Sequence, residues 1–295
     1  MRNNPFRGYG VALVTPFLKS GNIDYDTLEN LIEFQIQNGA DFICALGTTA
    51  ETPTLNDMEY QNILNFISAK VAGRIPIMVG CSDNCTKRLA DKLQSIDFAD
   101  AKGILSCVPA YNKPSQEGIY AHFAEVAKAS PLPIVLYNVP GRTGVNMTAD
   151  TTLRIASSSE KFIAIKEASG NVQQIKEILD KAPDGFQILS GDDSLSCQLM
   201  EYGVKGVISV IGNAIPKTFG RMIHLLEAGQ YKSANEINQK LSDLYSLLFK
   251  EGNPSGIKAL MSERNLLSNT LRLPMVPVSP GLQIQIKEGF TDINI

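Results

Sequence analysis

Histidine is scarce in this sequence, which has only His122 and His224 among 295 residues and contains no tryptophan. Histidine-rich catalytic metal sites place two or three imidazoles around one zinc ion. Both histidines here lie in helix-like stretches, and two residues cannot supply such a cluster. We therefore expect ordinary helix positions for both and a protein that works without a metal.

Cysteine is also sparse, with five residues, an odd number. Cys44, Cys107 and Cys197 lie inside apolar stretches, where a thiol behaves as a small hydrophobic group. Cys81 and Cys85 lack both the CxxC spacing and the nearby histidines of a structural zinc site. The sequence predicts reduced cysteines and no zinc site.

Long apolar runs and clusters of basic residues are missing as well. No run approaches the roughly 20 apolar residues that a membrane-spanning helix needs, and residues 1–10 lack the apolar core of a signal peptide. The formal net charge is −3, and no face gathers Lys and Arg to neutralise phosphates. We expect a cytoplasmic protein that binds neither nucleic acid nor a membrane.

What the sequence does contain is a repeated alternation of short apolar runs and helical patterns. The runs occupy residues 11–16, 42–47, 75–80, 103–109, 132–140, 162–169, 186–191 and 206–213. They are continuously apolar, which is typical of parallel strands covered on both faces. Eight βα units predict an α/β protein with a (β/α)8 TIM barrel rather than a doubly wound sheet, and no GxGxxG motif follows any run.

The stretches between the runs carry apolar stripes at helical spacing. Residues 28–36 show such a stripe, and Gly39 follows it, where helices usually stop. Beyond the eighth run, helical patterns follow one another without a strand. We therefore predict a barrel over residues 1–230 and a C-terminal helical region over residues 231–295.

Two polar side chains lie at the C-terminal ends of predicted strands, the edge where TIM barrels hold their active sites. Lys166 follows Phe-Ile-Ala-Ile in the sixth run. Burial penalises its charge, and a neutral amine can attack a carbonyl carbon. Tyr137 in the fifth run could transfer protons, because a phenol both donates and accepts. The alternatives are a lysine that pairs with Glu167 or extends out of the barrel, and a core tyrosine that caps a loop.

Two loops could bind a carboxylate. Thr48 and Thr49 offer hydroxyls and the N–H groups of a starting helix, although Thr48 and Glu51 also fit a capping box that needs no ligand. Arg142 lies in a Gly-Arg-Thr-Gly loop and can bind a carboxylate bidentately, although a solvated arginine has the same pattern. Two aspartates after the seventh run would repel phosphate, so the sequence favours a carboxylate substrate without phosphate.

Six motifs occur in the order GTTAE, VPAYNKPSQEGIY, LYNVPGRTG, IKEASGN, LSGDD and GVISV. Together, from about residue 6 to the C-terminal helices, they resemble the dihydrodipicolinate synthase family. The resemblance implies a TIM barrel, usually a homotetramer of tight dimers, that needs no metal or organic cofactor. It also implies condensation of pyruvate with L-aspartate 4-semialdehyde to 4-hydroxy-tetrahydrodipicolinate, in diaminopimelate and lysine biosynthesis.

The resemblance assigns roles to eight positions. They are Lys166 for the Schiff base with pyruvate, Tyr137, Thr48 and Tyr111 for a proton relay, Thr49 for the pyruvate carboxylate, Arg142 for the semialdehyde carboxylate, and Gly191 and Ile208, near which backbone carbonyls line the pyruvate side. Tyr111 would reach across the dimer interface into the neighbouring subunit's site, so that oligomerisation would be part of catalysis.

The sequence departs from the family where lysine-inhibited members bind lysine. Asn84 is retained, but Asp57, Arg88 and Ala110 replace a typical histidine, glutamate and tyrosine. An arginine repels an ammonium group instead of binding it. We predict weak or absent inhibition by lysine, and Ala110 also alters the usual packing at the dimer interface.

Two other functions stay open. N-acetylneuraminate lyases and keto-deoxy-sugar aldolases of the same superfamily share the lysine, the tyrosine and a similar threonine loop, but they usually lack an arginine equivalent to Arg142. A non-catalytic homologue that binds a 2-oxo acid would need only the carboxylate contacts. The retained Lys166, Tyr137, Thr48 and Tyr111 favour an enzyme, a class I aldolase-type lyase.

Overall fold

The computed structural model describes residue 2 and residues 4–293, and its centre is a closed barrel of parallel strands. The strands are β1 (Gly8–Ala12), β2 (Phe42–Ala45), β3 (Ile77–Gly80), β4 (Gly103–Cys107), β5 (Ile134–Asn138), β6 (Phe162–Glu167), β7 (Gln187–Ser190) and β8 (Gly206–Ser209). Each pairs with the next in chain order, and β8 closes the barrel by pairing with β1. The predicted TIM barrel is confirmed.

Helices surround the barrel and continue beyond it. In the described part of the chain they are α1 (Tyr25–Gln37), α2 (Asp57–Val71), α3 (Thr86–Ser95), α4 (Gln116–Ala129), α5 (Pro140–Thr143), α6 (Ala149–Ser158), α7 (Val172–Lys181), α8 (Ser196–Glu201), α9 (Pro216–Glu227), α10 (Tyr231–Phe249), α11 (Ser255–Glu263) and α12 (Pro280–Asp292). Short 3₁₀ helices span Thr48–Ala50, Thr52–Thr54 and Ile211–Asn213. The C-terminal helical extension is confirmed, whereas a division of the chain at residue 230 stays a prediction.

Each strand is buried on both faces, because one face packs inside the barrel and the other packs against the surrounding helices. Successive side chains of a strand point to opposite faces. In β5, Val135 and Tyr137 belong to the cluster inside the barrel, whereas Ile134 and Leu136 belong to the larger cluster shared with the helices. This double burial explains why the strands read as continuous rather than alternating apolar runs.

Seven strands lie inside the predicted runs, and the first does not. The prediction began at Val11, but β1 begins at Gly8. Glycine is uncommon in strands, so Gly8 and Gly10 gave no sign in the sequence that β1 begins at residue 8. Gly10 is nevertheless required there, because a Cβ atom would lie 2.1 Å from the ring of Phe42. The first strand was therefore placed too late in the sequence.

The predicted stripe on α1 is confirmed, with Leu28, Leu31, Ile32 and Gln35 buried. Gln35 is satisfied inside the core, since it accepts from the Tyr9 hydroxyl and donates to the backbone carbonyl of Gly212. Gly39 follows the helix with a φ of 85°, in the left-handed region that suits glycine.

The five cysteines are free, with Cys44 and Cys197 buried as predicted and Cys107 partly exposed. In the described residues, no helix is long and apolar enough to cross a bilayer.

Candidate active site

Lys166 lies near the C-terminal end of β6, between the neighbouring strands β5 and β7. The strand register places Tyr137 beside it on one side and Leu189 on the other. The lysine side chain is buried, and its Nζ atom lies 4.6 Å from the centre of the Tyr137 ring. Among the described residues, Lys166 has no salt-bridge partner. Its amine is therefore not held by a carboxylate.

Glu167, the next residue, faces the opposite side of the strand and does not pair with Lys166. Its carboxylate accepts hydrogen bonds from the side chains of Asn138 and Gln174, both at 3.1 Å, and from the backbone N–H of Ser169 at 2.9 Å. Burial raises the pKa of Glu167, and these hydrogen bonds oppose the rise. The alternative in which Glu167 neutralises the lysine is therefore wrong.

A cavity of about 330 Å³ opens at the C-terminal end of the barrel. Six of the eight predicted site residues line it, namely Thr48, Thr49, Tyr137, Arg142, Lys166 and Gly191. Gly191 permits a close approach of the β7 loop, because a Cβ atom there would lie 3.0 Å from Cε of Lys166 and 2.7 Å from Cβ of Ala168. Residues from four βα units, the second, fifth, sixth and seventh, thus meet at one place.

Ile208 and Tyr111 do not line this cavity. Ile208 is buried on β8, inside the barrel, in the same apolar cluster as Cys44 and Tyr137. Tyr111, in the loop after β4, has a positive φ of 73° and leaves 91% of its surface exposed. The role of Tyr111 in a proton relay therefore stays a prediction.

Residues 47–51 after β2, here called the threonine loop, contain a 3₁₀ helix over Thr48–Ala50. The predicted capping box does not form there. Gly47 precedes this helix, and no side chain caps it. The carboxylate of Glu51 turns away from the loop to Nζ of Lys258 on α11, at 2.5 Å, and accepts from the backbone N–H of Arg272 at 2.9 Å. A tertiary ion pair, not a local cap, therefore fixes this loop.

Arg142 reaches the cavity from the short helix α5, which starts at Pro140 and ends before Gly144. Its Nη2 atom donates to the backbone carbonyl of Asn253 at 3.0 Å, and the side-chain nitrogen of Asn253 donates to Oγ1 of Thr49 at 2.9 Å. The exposed guanidinium is thus tethered at one end. Among the described residues that line the cavity, Arg142 and Lys166 are the two cations.

Lys258 and Asn253 also belong to the site, although neither was predicted. Lys258 lies in the apolar run Gly-Ile-Lys-Ala-Leu-Met, the same signal that identified Lys166, and it is fully buried. Asn253 gave no signal, because an asparagine before a proline is typical of an ordinary turn. Both contact the threonine loop, and Asn253 also lines the cavity.

The phosphate position of TIM barrels, between the seventh and eighth βα loops, is occupied here by a side chain of the protein. Oδ2 of Asp193 accepts from the backbone N–H groups of Val210 and Ile211, at 3.0 and 2.8 Å, where the 3₁₀ helix Ile211–Asn213 begins. Burial raises the pKa of Asp193 to about 6, against the effect of these N–H groups. A carboxylate in this place supports the prediction that the ligand carries no phosphate.

A thiol lies in the cavity, and a group of possible metal ligands lies away from it. Cys44 lines the cavity, and burial raises the pKa of its thiol to about 11 although the charge of Lys166 opposes the rise, so the thiol stays protonated. Asp41, His224 and Glu227 are a trio of possible metal ligands in the described residues. Asp41 precedes β2 and therefore lies at the opposite end of the barrel from Lys166. His224 lies on a helix, as predicted, and its Nε2 atom is hydrogen-bonded to Oδ2 of Asp41 at 2.9 Å.

Comparisons with known proteins agree with this geometry. A 4-hydroxy-tetrahydrodipicolinate synthase from Parabacteroides distasonis is 50% identical over 289 residues, which cover 98% of this chain and 97% of the relative. A second enzyme of that name, from Phocaeicola vulgatus, is 52% identical over 271 residues, 92% of this chain and 91% of the relative.

Solved structures give the same result. The dihydrodipicolinate synthase of Aquifex aeolicus superposes with a TM-score of 0.94 and 39% identity, and the alignment covers 98% of each chain. The dihydrodipicolinate synthase of Thermotoga maritima has a TM-score of 0.95 and 35% identity, with 99% of each chain covered. A sequence profile of the dihydrodipicolinate synthetase family matches residues 5–291, and the chain therefore belongs to that family.

Proposed function

We propose that this protein condenses pyruvate with L-aspartate 4-semialdehyde to 4-hydroxy-tetrahydrodipicolinate, in the diaminopimelate and lysine pathway. The observation that carries the proposal is that Lys166 faces one cavity together with Tyr137, Thr49 and Arg142, and that this buried lysine has no salt bridge to any described residue. The family assignment supports the same reaction. The protein is thus a lysine-dependent lyase.

The first half of the reaction makes a carbon nucleophile from pyruvate. The amine of Lys166 attacks the ketone carbon, and the resulting carbinolamine loses water to give an iminium ion. Tyr137 lies against the lysine, so its hydroxyl is placed to supply and remove the protons of these steps. The iminium then withdraws electrons from the methyl group, which loses a proton and yields an enamine.

The second half joins the two substrates. The enamine carbon attacks the aldehyde carbon of the semialdehyde, whose oxygen takes up a proton. The amine of the semialdehyde next attacks the iminium carbon and displaces Lys166, which closes the ring and restores the free lysine. Thr49 would hold the pyruvate carboxylate beside the lysine, and Arg142 would hold the carboxylate of the incoming semialdehyde.

We also infer that the protein works in the cytoplasm as a homotetramer of tight dimers. Tyr111 supports the dimer, because its left-handed backbone costs roughly 1–3 kcal/mol and the described part of its own chain leaves the side chain exposed. A second cavity, of about 410 Å³, lies beside Thr48 and Tyr137 and could receive Tyr111 from another copy. The proton relay of Tyr137, Thr48 and Tyr111 would then be completed between subunits.

Two measurements test the proposal. Borohydride reduction in the presence of pyruvate should add a pyruvate-derived mass to the peptide that contains Lys166, and an unlabelled peptide would remove the Schiff-base mechanism. The second measurement compares aspartate semialdehyde with N-acetylmannosamine and small sugar aldehydes as acceptors. A sugar as the preferred acceptor would transfer the assignment to the sugar-acid lyases.

Arg142 is the residue that should set this preference. Arg142→Ala should lower kcat/KM for the semialdehyde about ten- to a hundredfold, which corresponds to the loss of one charged hydrogen-bonding contact. The control is Arg221→Ala, which removes an exposed arginine of α9 and should change nothing. A labelled but inactive wild-type protein, unresponsive to every aldehyde, would favour the 2-oxo-acid-binding alternative.

A further inference from the structure

Asn253 lies between α10 and α11, and it joins the two groups that would bind the two substrate carboxylates. Its side chain is 4% exposed and lines the same cavity as Lys166. Its amide nitrogen donates to Oγ1 of Thr49 at 2.9 Å, and its backbone carbonyl accepts from Nη2 of Arg142 at 3.0 Å. One residue therefore contacts both binding groups, although it follows the barrel in sequence.

The direction of the hydrogen bond between Asn253 and Thr49 determines what the threonine can offer a ligand. A hydroxyl has one proton to donate and two lone pairs that accept. The amide N–H of Asn253 uses a lone pair of Oγ1, so the hydroxyl proton stays available for an acceptor in the cavity. A carboxylate at position 253 would instead take that proton for itself.

The amide of Asn253 is not explained by the stability of the fold. Its Oδ1 atom is buried and has no hydrogen-bond partner in the part of the chain that the structure describes. A buried unsatisfied acceptor costs about 1–3 kcal/mol. An apolar residue at this position would avoid that cost, so the hydrogen bond from the amide nitrogen to Thr49 is what offsets it in the described residues.

The backbone that carries Asn253 is fixed relative to the threonine loop by a second, independent connection. Lys258 lies on the helix that follows Asn253, and its pair with Glu51 holds the residue two positions after Thr49. The two connections run in parallel between the same short segments, 253–258 and 49–51. The ion pair therefore restricts how far Asn253 can move relative to Thr49.

We propose that Asn253 is a positioning residue that directs the hydroxyl proton of Thr49 towards the pyruvate carboxylate and aligns Arg142 through its backbone carbonyl. This inference rests on the proposed function. The side chain of Asn253 acts on pyruvate binding, whereas the contact with Arg142 is made by the backbone and survives substitution. The two substrates should consequently respond differently to changes at this position.

The test uses the full-length variants Asn253→Asp and Asn253→Ala, with Asn62→Asp on the exposed surface of α2 as the control. The KM for each substrate and kcat are measured, together with the pyruvate concentration that gives half-maximal borohydride trapping. Asn253→Asp should raise the KM and the trapping midpoint for pyruvate by about ten- to a hundredfold, because the new carboxylate consumes the Thr49 proton and repels pyruvate. The KM for the semialdehyde should change less than about twofold, since the backbone carbonyl remains.

A double-mutant cycle with Thr49→Val separates positioning from a general structural effect. If Asn253 acts through Thr49, then Asn253→Ala should raise the KM for pyruvate in the wild-type background and have almost no effect once Thr49 is Val. Circular dichroism checks that each variant is folded, and the nearly isosteric Asp variant decides the question if the Ala variant is not.

The inference is overturned if both Asn253 variants keep the pyruvate KM within about twofold of wild type, or if the Asn253 and Thr49 effects add. An equal rise of KM for both substrates would also contradict it, because that result indicates a general disturbance of the cavity. Wild-type protein that neither traps pyruvate nor condenses it would refute the proposed function itself. If the wild-type protein is active but the Asn253 variants keep a normal KM for pyruvate, only the role of Asn253 is refuted.

Discussion

Replacing Lys258 by methionine tests how strongly the C-terminal helices hold the threonine loop. Lys258 and Glu51 are fully buried, and Nζ of Lys258 also donates to the carbonyl of Thr270 at 3.0 Å and lies 4.4 Å from the centre of the Phe17 ring. Burial lowers the pKa of Lys258, and the charge of Glu51 opposes this effect. Methionine preserves the volume but leaves the Glu51 carboxylate without its counter-ion.

The expected loss is large. Removing one member of a buried ion pair costs about 3–5 kcal/mol, because the remaining charge stays in a low-dielectric environment. An unfolding entropy of about 2.1 cal/mol/K per residue gives roughly 0.6 kcal/mol per degree for 295 residues. Lys258→Met should therefore lower Tm by about 5–8 °C.

The assay is thermal melting followed by far-UV circular dichroism, since the chain has no tryptophan to report unfolding. Lys240→Met, an exposed change on α10, is the matched control and should shift the unfolding free energy by less than about 0.5 kcal/mol. The double variant Lys258→Met with Glu51→Gln should recover at least half of the loss, because no buried charge remains alone. A single variant that melts within about 1 °C of wild type, or a double variant that loses the sum of both single effects, would refute the reasoning.

Three further predictions concern regulation, pH and assembly. Millimolar lysine should inhibit weakly or not at all, because Arg88 in the second cavity is ion-paired with Asp83 and, unlike a glutamate, cannot bind an ammonium group. Inhibition at submillimolar lysine would contradict this. The hydrogen bond to Asp41 raises the pKa of His224. The stability that this contact gives the folded protein is therefore complete below the unfolded pKa of about 6.5, and it is lost as the pH rises through the higher folded pKa. His224→Gln should therefore lower Tm more at about pH 5.5 than at about pH 8.5, and equal losses would exclude the linkage. Tyr111→Phe and Lys166→Met chains that are unfolded, mixed and refolded together should regain activity, because in a mixed dimer the Lys166 of one chain meets the Tyr111 of the other. Inactive mixtures would show that Tyr111 serves only its own subunit.

The barrel could be predicted because its cause is local and repeated. Every parallel strand is covered on both faces, so each one leaves a continuous apolar run in the sequence. The placement of Thr49, Lys166 and Arg142 near one another follows from the fold alone, since the ends of parallel strands share one edge. The start of β1 was lost because Gly8 and Gly10 are needed for close packing and give no apolar signal.

The contacts from the C-terminal region could not be predicted in the same way. Asn253 and Thr49 are 204 residues apart, and Lys258 and Glu51 are 207 apart. Their meeting depends on how α10 and α11 pack against the barrel, which no periodicity encodes. The capping box predicted from Thr48 and Glu51 does not form for the same reason, because the distant Lys258 binds the Glu51 carboxylate instead.

These two long-range contacts have a consequence for synthesis of the chain. At about 5–20 residues per second, a ribosome needs roughly 10–40 seconds to travel from Thr49 to Asn253. During that interval the nascent barrel can bury its strands, but the partners that fix the threonine loop do not yet exist. Competence to bind pyruvate therefore arrives late in translation, and an incomplete chain released before Asn253 would lack the partners that hold Thr49 and Glu51.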